Sequence, residues 1–203
     1  MSAMIRCENV PDHPDFRALA SIPGIDIDLR YATADNFVGH DVYGSLDCAW
    51  LRREAADALQ LAAAWLADRR PGYRLCVLDA LRPQRVQEQL WAELQGTPLT
   101  LYLANPERGS IHSFGMAVDA TLLDAAGVAV DMGSGFDEMA LVSHPDQEAE
   151  QLALGSLSAA QLTERGWLRA AMRQAGFQDI TTEWWHFDFG DRSAVRRDLP
   201  RVL

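Results

Sequence analysis

Two short segments constrain this chain more than any other feature, because together they carry the side chains of a catalytic metal centre. The first segment, residues 110–119, reads SIHSFGMAVD, and the second, residues 183–186, reads EWWH. Catalytic zinc sites use three protein ligands and keep a fourth position for water. The candidate ligands are His112, Asp119 and His186, and the candidate base is Glu183. The fold must therefore bring the two segments together at one point.

Peptide hydrolysis explains why these residue types belong together. Neutral water is a poor nucleophile, and bound zinc lowers the pKa of its water to about 7. A nearby carboxylate then accepts the water proton and passes it to the leaving amine, which contributes roughly 100- to 10,000-fold to the rate. Glu183 lies three residues before His186, which holds it close to the metal. The developing oxyanion needs a positive or donor group, and Arg82 is the best candidate.

Each of these residues has an ordinary structural explanation when it is taken alone. A single histidine is more often structural or solvated than metal-bound, Asp119 alone is typical of a turn or cap, and Glu183 alone of an exposed strand. The combination is informative because four reactive residues and a glycine coincide within two short motifs. Of the other histidines, His13 and His40 lie in polar loops, and the spacing of His144 does not fit the site.

Both motifs resemble those of the D-alanyl-D-alanine dipeptidases of the vancomycin-resistance VanX type. That family carries Ser-x-His-x-x-Gly-x-Ala-x-Asp followed later by Glu-x-Trp-His, and both patterns are intact here. The similarity also includes YATADNF at residues 31–37, LRP at residues 81–83 and MGSGFD at residues 132–137. Matching segments run in order from about residue 25 to residue 189, so the resemblance spans most of the chain.

The resemblance implies a role for each matching position. The implied zinc ligands are His112, Asp119 and His186, with Glu183 as general base and acid and Arg82 at the scissile carbonyl and its oxyanion. The implied substrate contacts are Ser110 to the carboxylate, Asp137 near the ammonium, and Tyr31 at the edge of the pocket. The departure is Leu81, where the family more usually has Tyr, and it concerns the shape of the pocket rather than the metal site.

The implied activity is hydrolysis of D-alanyl-D-alanine to two D-alanines, with one zinc ion per chain and a small dipeptide as substrate. Two alternatives stay open. Zinc D,D- or L,D-carboxypeptidases and endopeptidases of cell-wall peptides share the His-Asp-His core, and loops at residues 97–109 and 143–157 could change the depth of the pocket. A zinc-stabilised binding domain without catalysis is disfavoured by the intact Glu183 and Arg82.

The length and net charge of the chain limit the number of domains and the kinds of partner that we expect. The chain has 203 residues, enough for one domain with a sizeable core. Its net charge of −11 disfavours nucleic acid and anionic membranes as partners. No stretch approaches the roughly 20 apolar residues that cross a bilayer, and the polar N-terminus lacks the apolar core of a signal peptide. A cytoplasmic protein is expected, as a monomer or a homodimer, with Cys7, Cys48 and Cys76 as reduced thiols.

The order of elements predicts an α+β fold in a single domain, with a mostly antiparallel sheet flanked by helices and the zinc site at the sheet face. Residues 1–24 are predicted to form an N-terminal arm, and residues 25–203 the catalytic domain. Helices are predicted over residues 51–70, 83–95 and 159–175, the last after a capping box at Ser158. Strands are predicted over residues 25–30, 73–80, 116–123 and within 177–189, and residues 144–155 are predicted to be a loop.

The second motif raises a geometric difficulty. Residues three apart in a regular strand point to opposite faces of the sheet. Glu183 must therefore precede the regular strand, or lie at a bulge, if it and His186 reach the same metal. Asp188 shares a face with His186, and the sequence favours a surface charge there over a partner of the site.

Overall fold

A five-stranded sheet holds the two motifs next to each other. The computed structural model describes residues 4–203, except the side chains of Pro98 and Leu101. The strands are β1 (Phe16–Ala18), β2 (Ile25–Ile27), β3 (Trp50–Arg52), β4 (Arg74–Asp79), β5 (Ala117–Leu123), β6 (Phe177–Asp179) and β7 (His186–Phe189). Their order in the main sheet is β2-β4-β5-β7-β6, and β1 pairs with β3 separately. Only β2 and β4 run parallel, so the predicted, mostly antiparallel sheet is confirmed.

Helices flank this sheet, as predicted for an α+β domain. They are α1 (Arg53–Arg69), α2 (Gln84–Leu94), α3 (Glu148–Leu154), α4 (Ala159–Gln174) and α5 (Arg192–Asp198). The longest, α1, buries Ala55, Leu59, Ala62 and Leu66, whose spacing of three and four residues defines one helical face. Among the helices of residues 4–203, none is long and apolar enough to cross a membrane.

The predicted capping box begins α4. The Ser158 hydroxyl accepts a hydrogen bond from the Gln161 amide nitrogen, and the Gln161 side chain accepts one from the Ser158 amide nitrogen. Two backbone donors that the first helical turn leaves free are thereby satisfied. This cap fixes the start of a helix that packs on α1 and on strands β5 and β6.

The segment before β2 packs closely against the rest of the chain. Strand β1 pairs with β3, and the isolated bridge between Ile5 and Val202 joins the two ends of the described chain. Val10 and Leu19 are fully buried. These contacts place residues 5–22 in both hydrophobic clusters, while the division into an arm and a domain at residue 24 stays a prediction.

One predicted loop is in fact helical. Residues 144–155 were expected to lack regular structure, but α3 occupies Glu148–Leu154. The negative charges of Glu148 and Glu150 in its first turn interact favourably with the helix dipole. Gly155 ends the helix with a φ of 76°. The prediction was wrong because two helical turns are too short to show a clear apolar period.

Candidate active site

The register of two strands places one residue of each motif side by side. Strands β5 and β7 are antiparallel, and Asp119 is the direct partner of His186. Side chains of directly opposed residues project from the same face of a sheet, with Cβ atoms about 4.5–5.5 Å apart. The pairing of β5 with β7 therefore brings together two residues that are far apart in the sequence.

His112 reaches the same point from a tight turn just before β5. Residues Ile111–Phe114 form one turn of 3-10 helix, which Gly115 ends with a φ of 68°. A Cβ atom on Gly115 would lie 2.9 Å from the Phe16 ring and 3.1 Å from the Arg52 amide nitrogen. Glycine is therefore required both for the backbone angle and for the close approach.

The three candidate ligands have the spacing of a metal site. His186 Nδ1 lies 2.9 Å from Asp119 Oδ1 and 3.1 Å from His112 Nε2, and His112 Nε2 lies 3.4 Å from Asp119 Oδ1. Ligands bound tetrahedrally at 2.0–2.1 Å lie about 3.3 Å from one another. In the part of the chain that the structure describes, no other group of histidine, cysteine and acidic residues has a comparable arrangement.

Hydrogen bonds behind the two imidazoles fix which nitrogen faces the centre. His112 Nδ1 donates to the Ala80 carbonyl oxygen at 2.7 Å, and His186 Nε2 donates to Asp188 Oδ1 at 2.9 Å. The opposite nitrogen of each neutral ring is then an acceptor. When both rings are neutral, two acceptor nitrogens and the Asp119 carboxylate converge on one point, and this donor set suits a cation.

The ionisation of this triad is consistent with metal binding. Although burial by itself lowers the pKa of His186, the Asp188 and Asp119 carboxylates raise it well above its usual range. Burial raises the pKa of Asp119, but His112 and His186 outweigh this and hold it below its usual value. A bound metal ion would take the place of the proton that these carboxylates otherwise hold on His186. The donor set of the chain therefore fits a divalent metal.

Asp188 is a buried partner of the site, so the interpretation as a surface charge was wrong. Its exposed fraction is only 2%. One oxygen accepts the hydrogen bond of His186 and the other that of Arg192 Nε. Strand alternation could have found it, because residues 186 and 188 share a face of the regular strand β7.

Glu183 lies outside the regular strand, as the geometry of the second motif requires. Strand β7 begins only at His186, which confirms the predicted irregularity. The Glu183 side chain lines the same pocket as His112 and His186 and is 9% exposed. Burial raises its pKa to about 7. A carboxyl group with this pKa can both take and return a proton near neutral pH.

Arg82 is held in place by a residue that the sequence analysis missed. Its Nε and Nη2 atoms donate to Asp79 Oδ2 at 2.9 and 2.6 Å, and its Nη1 donates to Gln87 Oε1. Asp79 is completely buried and also accepts from the Tyr43 hydroxyl. The sequence feature that could have identified Asp79 is its position three residues before Arg82, at the end of β4. This pair keeps the guanidinium 3.5 Å from Asp119 Oδ2.

Of the predicted substrate residues, Ser110 lines the pocket, whereas Tyr31 and Asp137 are not part of its lining. Tyr31 is 1% exposed, with its ring 4.7 Å from the Arg82 guanidinium carbon. Asp137 is 8% exposed, and its Oδ2 has no hydrogen-bond partner among the described residues. Leu81 is fully buried in the hydrophobic cluster around α2, so it does not form part of the pocket wall.

Asp137 has two further unusual properties. Its φ is 59°, and among the described residues it alone combines a positive φ with a side chain. Burial and the neighbouring Asp119 carboxylate raise its pKa well above the usual range, and Arg82 opposes them only in part. Backbone strain and an unpaired buried carboxyl oxygen both cost stability and are typical of functional sites.

These groups meet at a pocket with a volume of about 310 Å³. Its walls include Arg82, Ser110, His112, Glu183 and His186. The volume is at the lower end of the range for small-molecule sites, roughly 300–1,000 Å³. The two histidines of the triad, the glutamate and the arginine therefore share one cavity of a size suited to a small substrate.

Comparison with known proteins assigns the chain to a family. The sequence profile of Peptidase_M15, described as D-ala-D-ala dipeptidase, matches residues 15–202. The chain belongs to this peptidase family. A D-alanyl-D-alanine dipeptidase of Escherichia coli K12 is 39% identical over 168 residues, which are 82% of this chain and 79% of that protein.

Two further comparisons agree with this assignment. A D-alanyl-D-alanine dipeptidase of Enterococcus faecalis is 34% identical over 83% of this chain and 87% of its own length. Among solved structures, that of the LdcB LD-carboxypeptidase matches with a TM-score of 0.50 at 20% identity, covering 91% of this chain and 72% of the other. The structural match supports the α+β fold. Family membership makes this chain a metallopeptidase.

Proposed function

We propose that this chain is a zinc-dependent D,D-dipeptidase that hydrolyses D-alanyl-D-alanine to two D-alanines. The observation that carries the proposal is a convergent triad of proton acceptors beside a glutamate whose pKa is raised to about 7. The names of the similar proteins from Escherichia coli and Enterococcus faecalis support the choice of substrate.

Zinc is the metal that best suits the donor set. Two imidazole nitrogens and one carboxylate oxygen at tetrahedral spacing, with a fourth position open to the pocket, are typical of catalytic zinc. Bound there, zinc would lower the pKa of its water and polarise the scissile carbonyl. His112, Asp119 and His186 would hold it, with the Ala80 carbonyl and Asp188 holding the two rings.

Glu183 is proposed to act as the general base and then as the general acid during hydrolysis. In its ionised form it accepts a proton from the attacking water, and in its protonated form it gives that proton to the leaving amine. Arg82 is proposed to stabilise the negative charge that develops on the carbonyl oxygen. Its pairing with Asp79 and Gln87 fixes the guanidinium before the substrate arrives, so little reorganisation is needed during reaction.

The termini of a dipeptide are proposed to be recognised at opposite ends of the site. Asp137 offers an unpaired, buried carboxyl oxygen, which an ammonium group would satisfy. Ser110 lies on the pocket wall and is proposed to contact the substrate carboxylate. Recognition of both termini would restrict the enzyme to substrates of dipeptide length.

Replacement of Glu183 by Gln tests the proposed reaction. The side chain keeps its shape but can no longer accept a proton, so turnover of D-alanyl-D-alanine should fall by about 100- to 10,000-fold. The zinc content, measured by atomic absorption, should be unchanged. The matched control is Glu150→Gln on the exposed part of α3, which should leave both quantities unaltered. Normal turnover by zinc-loaded Glu183→Gln protein would rule out Glu183 as the base.

A further inference from the structure

Arginines that form no ion pair within the described part of the chain lie beside the proposed active site. All 18 basic side chains of the protein are arginines. Among the described residues, 14 of them have a carboxylate oxygen within 4.0 Å, as the ion pairs show. The four that have none are Arg53, Arg108, Arg196 and Arg201. Arg108 and Arg196 line the same pocket as Ser110 and His112.

The loop that leads to Ser110 is built around these side chains. Arg196 Nε donates to the Gly109 carbonyl oxygen at 3.0 Å, and Arg201 donates to the carbonyls of Pro106, Glu107 and Arg108. Gly109 has a φ of 86°, and a Cβ atom there would lie 2.7 Å from Arg201 NH2. The backbone on which Arg108 and Ser110 stand is thereby fixed against the C-terminal part of the chain.

The cluster leaves a local positive charge in an acidic protein. Burial lowers the pKa of Arg196, and the nearby Arg108, Arg192 and Arg201 lower it further, opposed by Asp188. Asp188 is already engaged by His186 and Arg192. Arg108 is exposed and has no carboxylate partner in the described structure. Adjacent guanidinium groups in a pocket wall are well suited to an anion, above all to a carboxylate.

We propose that Arg108 and Arg196 form, together with Ser110, the receptor for the free C-terminal carboxylate of the substrate. This inference rests on the proposed peptidase function and adds the residues that select for a free carboxylate one residue beyond the scissile bond. A substrate amidated or extended at its C-terminus loses the ion pairs with Arg108 and Arg196. The arginines act on substrate choice, whereas the metal triad and Glu183 act on the reaction.

The test compares D-alanyl-D-alanine with its C-terminal amide, which keeps the free amine and the scissile bond. The decisive variant is Arg108→Gln, because Arg108 is exposed and the fold does not depend on its side chain. The rescue variant is Arg108→Lys. The matched control is Arg197→Gln, which removes the same charge next to Arg196 but from a side chain that pairs with Asp198. Each zinc-loaded protein is assayed on both substrates.

We expect KM for the free acid to rise about 10- to 100-fold in Arg108→Gln, the usual range for loss of a charged hydrogen bond. The kcat for the acid and the kcat/KM for the amide should change by less than about threefold, within the range of surface substitutions. Arg108→Lys should recover part of the loss, and Arg197→Gln should behave as wild type. Equal losses on acid and amide, or no loss on either, would overturn the inference and leave the peptidase function intact.

Failure of the peptidase function itself would look different. In that case zinc-loaded wild-type protein would cleave neither substrate. Calorimetric titration with N-acetyl-D-alanine, a simple monocarboxylate, then decides the inference. Binding that is lost in Arg108→Gln but kept in Arg197→Gln would support the carboxylate receptor, and absence of binding to wild-type protein would overturn it.

Discussion

Two groups of side chains at the site differ in charge, in burial and in the part of the chain that carries them. The catalytic group comprises His112, Asp119, Glu183 and His186, which are buried or half-buried, and the pairing of β5 with β7 brings Asp119 and His186 together. The arginine group comprises Arg108 and Arg196, which come from a loop and from α5 and are exposed and half-buried, respectively. Strand register thus places part of the catalytic group, whereas the arginines proposed to select the substrate lie outside the sheet.

The proposed contacts would also orient the substrate. A dipeptide is a zwitterion, and its ammonium is proposed to meet Asp137 while its carboxylate meets Arg108, Arg196 and Ser110. In that direction the scissile bond would lie between the two contacts and next to the metal triad.

After the loss expected for Glu183→Gln, the largest effect on turnover should follow from replacing Asp137. Asp137→Asn removes the proposed partner of the substrate ammonium, so kcat/KM for D-alanyl-D-alanine should fall by about 10- to 100-fold. Activity on N-acetyl-D-alanyl-D-alanine, which has no ammonium, should not fall with it. The matched control is Asp12→Asn at an exposed position. Equal losses on the free and the acetylated substrate would show that Asp137 has no role in amine recognition.

Asp188 connects the metal site to α5, because it accepts one hydrogen bond from His186 and another from Arg192. Asp188→Ala should lower zinc affinity by about 10- to 100-fold, as is usual for residues that orient metal-bound histidines. Asp188→Asn should lose less, because its amide oxygen can still accept from His186 Nε2. Competition with a zinc-sensitive dye measures both variants. Wild-type affinity in Asp188→Ala would mean that the sheet alone orients His186.

The smallest effect concerns the pH dependence of the rate. Glu183 accepts a proton only when it is ionised, so activity should fall as the pH falls through the pKa of this group. Burial raises that pKa to about 7 in the metal-free protein, and a bound cation moves it downward. The acid limb of kcat/KM should therefore have a midpoint at or below about 7 but above the ordinary glutamate value of about 4.3. An acid limb at the ordinary value would contradict the burial argument.

The sequence predicted the catalytic group better than the arginine group. His112, Asp119, Glu183 and His186 stand in two continuous motifs. Strand geometry required Glu183 either to precede the regular strand or to lie at a bulge, and it precedes β7. Local patterns were weaker for Asp188, whose burial depends on packing between β7 and α5. Functional residues that stand in continuous motifs can therefore be recognised from the sequence alone.

No sequence motif pointed to the arginine group. Arg108, Arg196 and Arg201 lie in separate segments, and nothing in their spacing indicates that a loop wraps around them. The helix α3 was missed for a related reason, since its two turns are too short to show periodicity. Asp79 was passed over because an acid at a strand end is common, and its role depends on the contact with Arg82. Features created by tertiary contacts need the structure.

Release of free D-alanine from D-alanyl-D-alanine and from its N-acetylated form, each with and without a chelator, is the first measurement to make on the dipeptidase activity. We expect cleavage of the free dipeptide, little cleavage of the acetylated form, and loss of activity with chelator that zinc restores. Preferential cleavage of the acetylated form would contradict the dipeptidase assignment and point to a carboxypeptidase. Cleavage that persists in chelator would contradict the role of the His112, Asp119 and His186 site.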